Sequence, residues 1–99
     1  MKHRVGIDTV QAGLRDAGLR ATTQRVALLH TLLSSSGPVS VEALTKSSKG
    51  AYDLATAYRT LDALVLAGLA KRIELSQGRA LFEASSEHPL APAVVRYAA

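Results

Sequence analysis

Apolar residues recur at helical spacing over most of the chain and switch to alternation near its end. Val10, Leu14 and Ala17 stand at i, i+4 and i+7, which predicts a short amphipathic helix over residues 8–17, stopped by Gly18. A second helix, capped by Thr22 or Thr23 and running to about Leu33, carries the stripe Val26, Leu29, Leu32 and Leu33 with Leu28 beside it. Ser34-Ser35-Ser36-Gly37-Pro38 ends it as a loop. Ser40 caps a third, short helix with Glu42 in its first turn, where the helix dipole favours an anion, and Val41 and Leu44 face the core. After the loop Ser47-Ser48-Lys49-Gly50, Asp53 caps a fourth helix that ends at Gly68. Its expected apolar stripe is Leu54, Tyr58, Leu61 and Val65, with Ala57 alongside. That leaves Thr56, Arg59, Thr60 and Ala63 opposite, a small, hydrogen-bonding face where a merely solvated helix would more often carry Glu and Lys.

The period then falls to two. Ala70 to Leu75 alternates, with Lys71, Ile73 and Leu75 on one side. Ser76-Gln77-Gly78-Arg79 is a turn in which Gly78 supplies a positive φ, and Ala80–Glu83 returns as a second strand. Pro89 and Pro92 break the chain beyond it, and residues 91–99 have room for one more short helix. The predicted fold is therefore mainly α with a small β-hairpin (α+β): a winged helix-turn-helix domain over residues 1–84 and a Pro-containing tail over 85–99. In that fold the helix before the hairpin is the recognition helix and the hairpin is the wing.

Composition narrows the class. The 99 residues are 47% hydrophobic and contain no Cys, which excludes disulfides and Cys-based zinc, haem or iron–sulfur sites. No apolar run approaches the ~20 residues that span a bilayer. The charged start, Met1-Lys2-His3-Arg4, is not followed by the apolar run of a secretory signal, so a cytoplasmic protein with no membrane association is expected. The net charge is +4, and eight of the 12 basic residues are Arg, the side chain best shaped for phosphate. The excess lies before the second helix (Lys2, Arg4, Arg15, Arg20 and Arg25 against Asp8 and Asp16) and at the end of the chain, with a balanced centre. With a pI of about 9.9, this permits nucleic-acid binding without requiring it. There is no phosphate-cradling Gly loop, no HExxH and no nucleophile with an evident base, so no enzyme is expected.

Three stretches carry a resemblance. Leu14-Arg15-Asp16-Ala17-Gly18-Leu19-Arg20-Ala21-Thr22-Thr23-Gln24-Arg25, Val39-Ser40-Val41-Glu42-Ala43-Leu44, and Leu54-Ala55-Thr56-Ala57-Tyr58-Arg59-Thr60-Leu61 followed by Ala67-Gly68-Leu69 resemble the DNA-binding half of the ferric-uptake-regulator (Fur) family of bacterial metalloregulators. The resemblance implies a winged-helix DNA-binding domain, and in the family a second, dimerisation domain follows the wing. It also implies a regulatory metal site built from a His before the third helix, a Glu on the second wing strand and His residues in a hinge. Here the first position is Pro38, the Glu is kept as Glu83, and the hinge reads Glu87-His88-Pro89-Leu90-Ala91-Pro92. Most ligand positions for zinc or iron are thus lost, and Glu83 and His88 remain as weak metal candidates, so no cofactor is expected. His30, in the second helix, reads as a partly exposed helix residue rather than a ligand.

The candidate DNA contacts are Arg20, Arg25, Thr56, Tyr58, Arg59, Thr60, Lys71 and Arg79. Arg59 can pair with a guanine edge or hold a phosphate, or instead pair internally with Asp62 or Glu74. Tyr58 reads equally as a DNA contact or as a stripe-edge residue with its hydroxyl outward. Thr56 and Thr60 can donate to phosphates. By the resemblance, Arg20 enters a minor groove, and a narrow A·T-rich groove attracts Arg. Arg25 can contact phosphate or pair with Asp16 or Asp53. Lys71 and Arg79, with Arg72, give the wing a basic edge, although charged edge strands also serve simply to block pairing. Two functions follow: a sequence-specific transcriptional regulator, a repressor by resemblance, on A·T-rich duplex DNA as a homodimer or a heterodimer with a related regulator; or a winged-helix protein-interaction module that pairs with or antagonises another regulator.

Overall fold

The computed structural model describes residues 5–85. The tail, its expected short helix, and Glu87 and His88 lie outside the described residues. Four helices come first: α1 (Ile7–Asp16), α2 (Thr23–Ser34), α3 (Val41–Ser47) and α4 (Leu54–Leu66). Two strands close the domain, β1 (Ala70–Glu74) and β2 (Ala80–Ala84). Among the described residues no helix is long and apolar enough to cross a membrane.

Local chemistry sets the helix starts. The Thr22 hydroxyl oxygen accepts the Arg25 N–H at 3.2 Å, Ser40 accepts that of Ala43 at 3.0 Å, and the Asp53 carboxylate accepts that of Thr56 at 2.8 Å. Each satisfies one of the N–H groups that a helix start leaves without a carbonyl. At the far end of α4, Gly68 sits at φ 81°, a conformation that side-chain-bearing residues resist, and turns the chain into β1.

β1 and β2 pair antiparallel, with Arg72 opposite Phe82, Ile73 opposite Leu81, and Lys71 opposite Glu83. The turn is tighter than a Gly-only reading predicts, because Gln77 (φ 63°) joins Gly78 (φ 74°) at positive φ. A third piece of chain completes the sheet. Val39, just before α3, exchanges both backbone hydrogen bonds with Phe82 at 2.8 Å. Nothing in the periodicity of the loop before Ser40 announces this bridge.

Val10 and Leu14 from α1, Val26, Leu28, Leu29, Leu32 and Leu33 from α2, and Val41 and Leu44 from α3 are all buried, as their spacing predicts. Phe82 is the wing's contribution to the same core. One expectation is corrected. The buried face of α4 is Ala57, Thr60, Leu61 and Leu64, not Leu54, Tyr58, Leu61 and Val65. Leu54 and Tyr58 are 42% and 45% exposed, Val65 packs at the margin, and Thr60, expected on the open face, is 7% exposed. The helix is rotated because it packs against α2, α3 and β1 together. Tyr52, in the loop before α4, also enters the core, where its hydroxyl donates to the Leu44 carbonyl at 3.2 Å and burial raises its pKa.

Candidate nucleic-acid interface

Rotation of α4 decides what its open side presents. Arg59 and Tyr58 point away from the core, and Thr56 is partly exposed one turn before them. The start of α2 lies beside this first half of α4. Between them is a depression of about 360 Å³ lined by Arg20, Thr22, Gln24, Arg25, Thr56, Arg59 and Thr60. Five of the eight expected DNA contacts therefore share one surface feature. Thr22 and Gln24 join it unannounced, Thr22 having been legible only as a cap.

The arginines there are not consumed by ion pairs. Among the described residues the one salt bridge joins Arg72 and Glu74 within β1, at 2.6 Å. Arg59 instead donates through Nη2 to Thr56 Oγ1 at 3.3 Å, and Arg25 donates through Nη1 to the Arg20 carbonyl at 3.1 Å. Among the described residues neither has the carboxylate partner that an internal role would give it. The carboxylate of Asp53 is held below its usual pKa chiefly by the Thr56 N–H it accepts, with the Thr56 hydroxyl and the Arg59 charge adding to the effect. Asp53 thus stays ionised as the cap of α4 while leaving the guanidinium of Arg59 outside salt-bridge distance.

A second groove, of about 240 Å³, runs between the start of α3, Tyr58 and the wing, and Arg72, Leu75, Arg79 and Leu81 contribute to it. It brings Tyr58 and Arg79 together on one side of the molecule. Arg72 belongs to the wing's packing rather than to a free basic edge: besides its bond to Glu74, its guanidinium carbon lies 5.9 Å from the centre of the Phe82 ring. Lys71 is exposed on the opposite face of the hairpin, across from Glu83, and lines neither groove.

Glu83 lies on the same ladder. The antiparallel Val39–Phe82 bridge brings Pro38 level with Glu83, and Lys71 stands on Glu83's other side. Among the described residues, this half-buried carboxylate thus stands between a proline and a lysine, neither of which suits a metal. Among the described residues no group of three or more His, Asp or Glu side chains could hold a metal ion. His30 is partly buried on α2 and lines a separate hydroxyl-rich hollow with Thr31, Ser34 and Ser35.

Comparison with known proteins agrees with this architecture. The sequence profile of the ferric uptake regulator family matches residues 16–95. Among solved structures, the Vibrio cholerae ferric uptake regulator is 34% identical over 79% of this chain, with a TM-score of 0.70. The Pseudomonas aeruginosa regulator, solved with manganese, is 36% identical over 78%, with a TM-score of 0.69. The Helicobacter pylori regulator, at 20% identity and a TM-score of 0.69 over 89% of the chain, shows the shared fold alone. No curated protein sequence matches. The chain spans 63% of the Vibrio and Helicobacter proteins and 60% of the Pseudomonas protein. By the profile match over most of its length, this chain belongs to the ferric uptake regulator family, whose members are DNA-binding transcription regulators.

Proposed function

We propose that this chain is the DNA-reading winged-helix module of a transcription regulator, a repressor on the family's pattern, and that α4 is its recognition helix. The supporting observation is the placement of Arg59. It stands on the open side of α4, unpaired by any carboxylate among the described residues, above a depression lined by two further arginines. A guanidinium so placed can give a bidentate pair to guanine O6 and N7 in the major groove. Tyr58 lies alongside it, and its exposed ring suits apolar contact with a thymine methyl or sugar. Arg20, in the exposed loop before α2, reaches toward a minor groove, and A·T-rich sequence narrows that groove and strengthens its attraction for Arg. Arg79 on the wing, in the groove beside Tyr58, lies against flanking backbone.

Fluorescence anisotropy on an A·T-rich pseudo-palindromic duplex, at two salt concentrations, tests the reading. Tight, salt-sensitive binding is expected, and Arg59→Ala should weaken it by about 1–3 kcal/mol and relax discrimination at one base pair. Absence of binding at low salt, or an Arg59→Ala protein that binds as the parent does, would sink it.

A further inference from the structure

We propose that the depression between α2 and α4 is a built seat for one phosphate group of the nucleic-acid backbone, with Thr60 as its buried donor. The proposal rests on the DNA-binding reading and assigns a specific chemistry to part of that surface. Thr60 is only 7% exposed, and it lines the depression together with Arg20, Thr22, Arg25, Thr56 and Arg59. Buried or half-buried hydroxyls in the body of α2 and α3 bond back one turn: Thr31 donates to the Ala27 carbonyl at 2.9 Å, Thr45 to that of Val41 at 2.9 Å, and Ser34 to that of His30 at 2.8 Å. Thr60 makes no such bond, and among the described residues its hydroxyl has no hydrogen-bond partner. A buried hydroxyl without a partner is costly and therefore rare. Its place in the wall of an open depression points to a partner that arrives from outside.

The surroundings specify that partner. Three arginines line the depression and no carboxylate does, so the ligand is an anion. Arg25 is held by its bond to the Arg20 carbonyl, which fixes the guanidinium while leaving most of its five donors free. Thr22 uses its oxygen to accept the Arg25 N–H, so its own proton remains for an external acceptor. The first turn of α2, a helix of 12 residues, adds N–H groups with no carbonyl partner inside the helix. Donors converge from several sides, which suits a tetrahedral oxyanion with several acceptor oxygens. A backbone phosphodiester and free inorganic phosphate share that chemistry. The position beside the open face of α4 favours the phosphodiester.

Two measurements on the full chain separate the sources. In the first, single phosphates of the duplex are replaced one at a time by uncharged methylphosphonate. The parent should lose about three- to tenfold in affinity at one fixed position per half-site. Thr60→Val should bind the unmodified duplex more weakly and show a smaller methylphosphonate effect at that position alone, and Thr60→Ser should restore both. The melting temperature of Thr60→Val should not fall, since the change removes an unpaired buried hydroxyl at nearly constant shape. In the second, inorganic phosphate is titrated at constant ionic strength while amide shifts are followed by NMR. Shifts confined to Gln24, Arg25, Thr56 and Thr60, and lost in Thr60→Val, support the seat. Phosphate-induced shifts with no position-specific methylphosphonate effect would overturn the nucleic-acid assignment in favour of free phosphate. A Thr60→Val protein that matches the parent in both measurements would overturn the seat altogether. That outcome leaves base reading by Arg59 standing, whereas loss of all duplex binding by the parent would strike the DNA-binding reading itself.

Discussion

A single carboxylate at the start of α4 does two jobs that pull in the same direction. Asp53 accepts the Thr56 N–H at 2.8 Å, which ends the loop, and its charge sits where the helix dipole welcomes an anion. Its folded-state pKa is lowered, so its contribution to stability is complete above the unfolded value and is lost as pH falls through the lower, folded one. Thermal melts should therefore show an acid-side loss of stability that sets in below the ordinary value of 3.8. Asp53→Asn, which keeps a capping oxygen without the charge, should blunt that loss and lower the melt modestly near neutral pH, where the charge's contribution is complete. An unaltered acid limb in Asp53→Asn would assign the effect to another carboxylate. The caps at Thr22, Ser40 and Asp53 are legible in sequence because each places a short oxygen-bearing side chain just before an apolar run. Tyr52 is not legible in this way: its burial depends on α3 offering the Leu44 carbonyl at the right place.

Element boundaries follow from local rules, but the face an element buries does not. Along α4 two stripes satisfy helical spacing, and both contain Leu61. One adds Leu54, Tyr58 and Val65, and the other adds Ala57, Thr60 and Leu64. The first is richer in large apolar side chains, so periodicity favours it. The fold takes the second because three elements close on that side, and a small Ala and Thr let them approach. The displaced apolar residues then face outward beside Arg59, which explains why Leu54 and Tyr58 read as part of the apolar stripe and Thr60 read as surface. Leu64 and Leu66 make the contrast measurable. Leu64 is fully buried, and Leu64→Ala should cost about 2–5 kcal/mol. Leu66, two residues on and 90% exposed, should accept Gln within about 0.5 kcal/mol. Urea denaturation of the two variants checks the rotation directly, and similar losses in both would contradict it.

At the scale of the whole molecule, charge placement carries more than net charge. Twelve basic residues against eight acidic ones is an unremarkable balance. What distinguishes the chain is that Arg20, Arg25 and Arg59 gather at one depression without carboxylates in its lining, while Arg72 is neutralised by Glu74 on the wing. On the proposed function, such a surface would bind duplex DNA by releasing counterions, each neutralised phosphate contributing about 0.9 to the slope of log affinity against log salt. Arg20→Ala should lower that slope by about one and weaken A·T-rich duplexes most, where the narrow minor groove attracts Arg, in contrast to the single-base-pair loss expected for Arg59→Ala. An unchanged slope would remove Arg20 from the interface. One such module presents few phosphate contacts, so high affinity for a pseudo-palindrome calls for two copies, one per half-site.

The paired hydrogen bonds between Val39 and Phe82 give this chain a mechanical property. β1 leaves α4 through the Gly68–Leu69 turn, and the Ser85 N–H returns to the Leu69 carbonyl at 3.0 Å. Val39, at the other end of the helix-turn-helix, is clamped to the middle of β2 and leads straight into α3. The hairpin is thus not a flap on a single tether but the closing link of a loop that runs through α3 and α4 and back. A displacement at the tip, around Gln77 and Gly78, is connected to α4 from both of its ends. The spacing between wing and α4 is thus fixed by backbone hydrogen bonds within the fold.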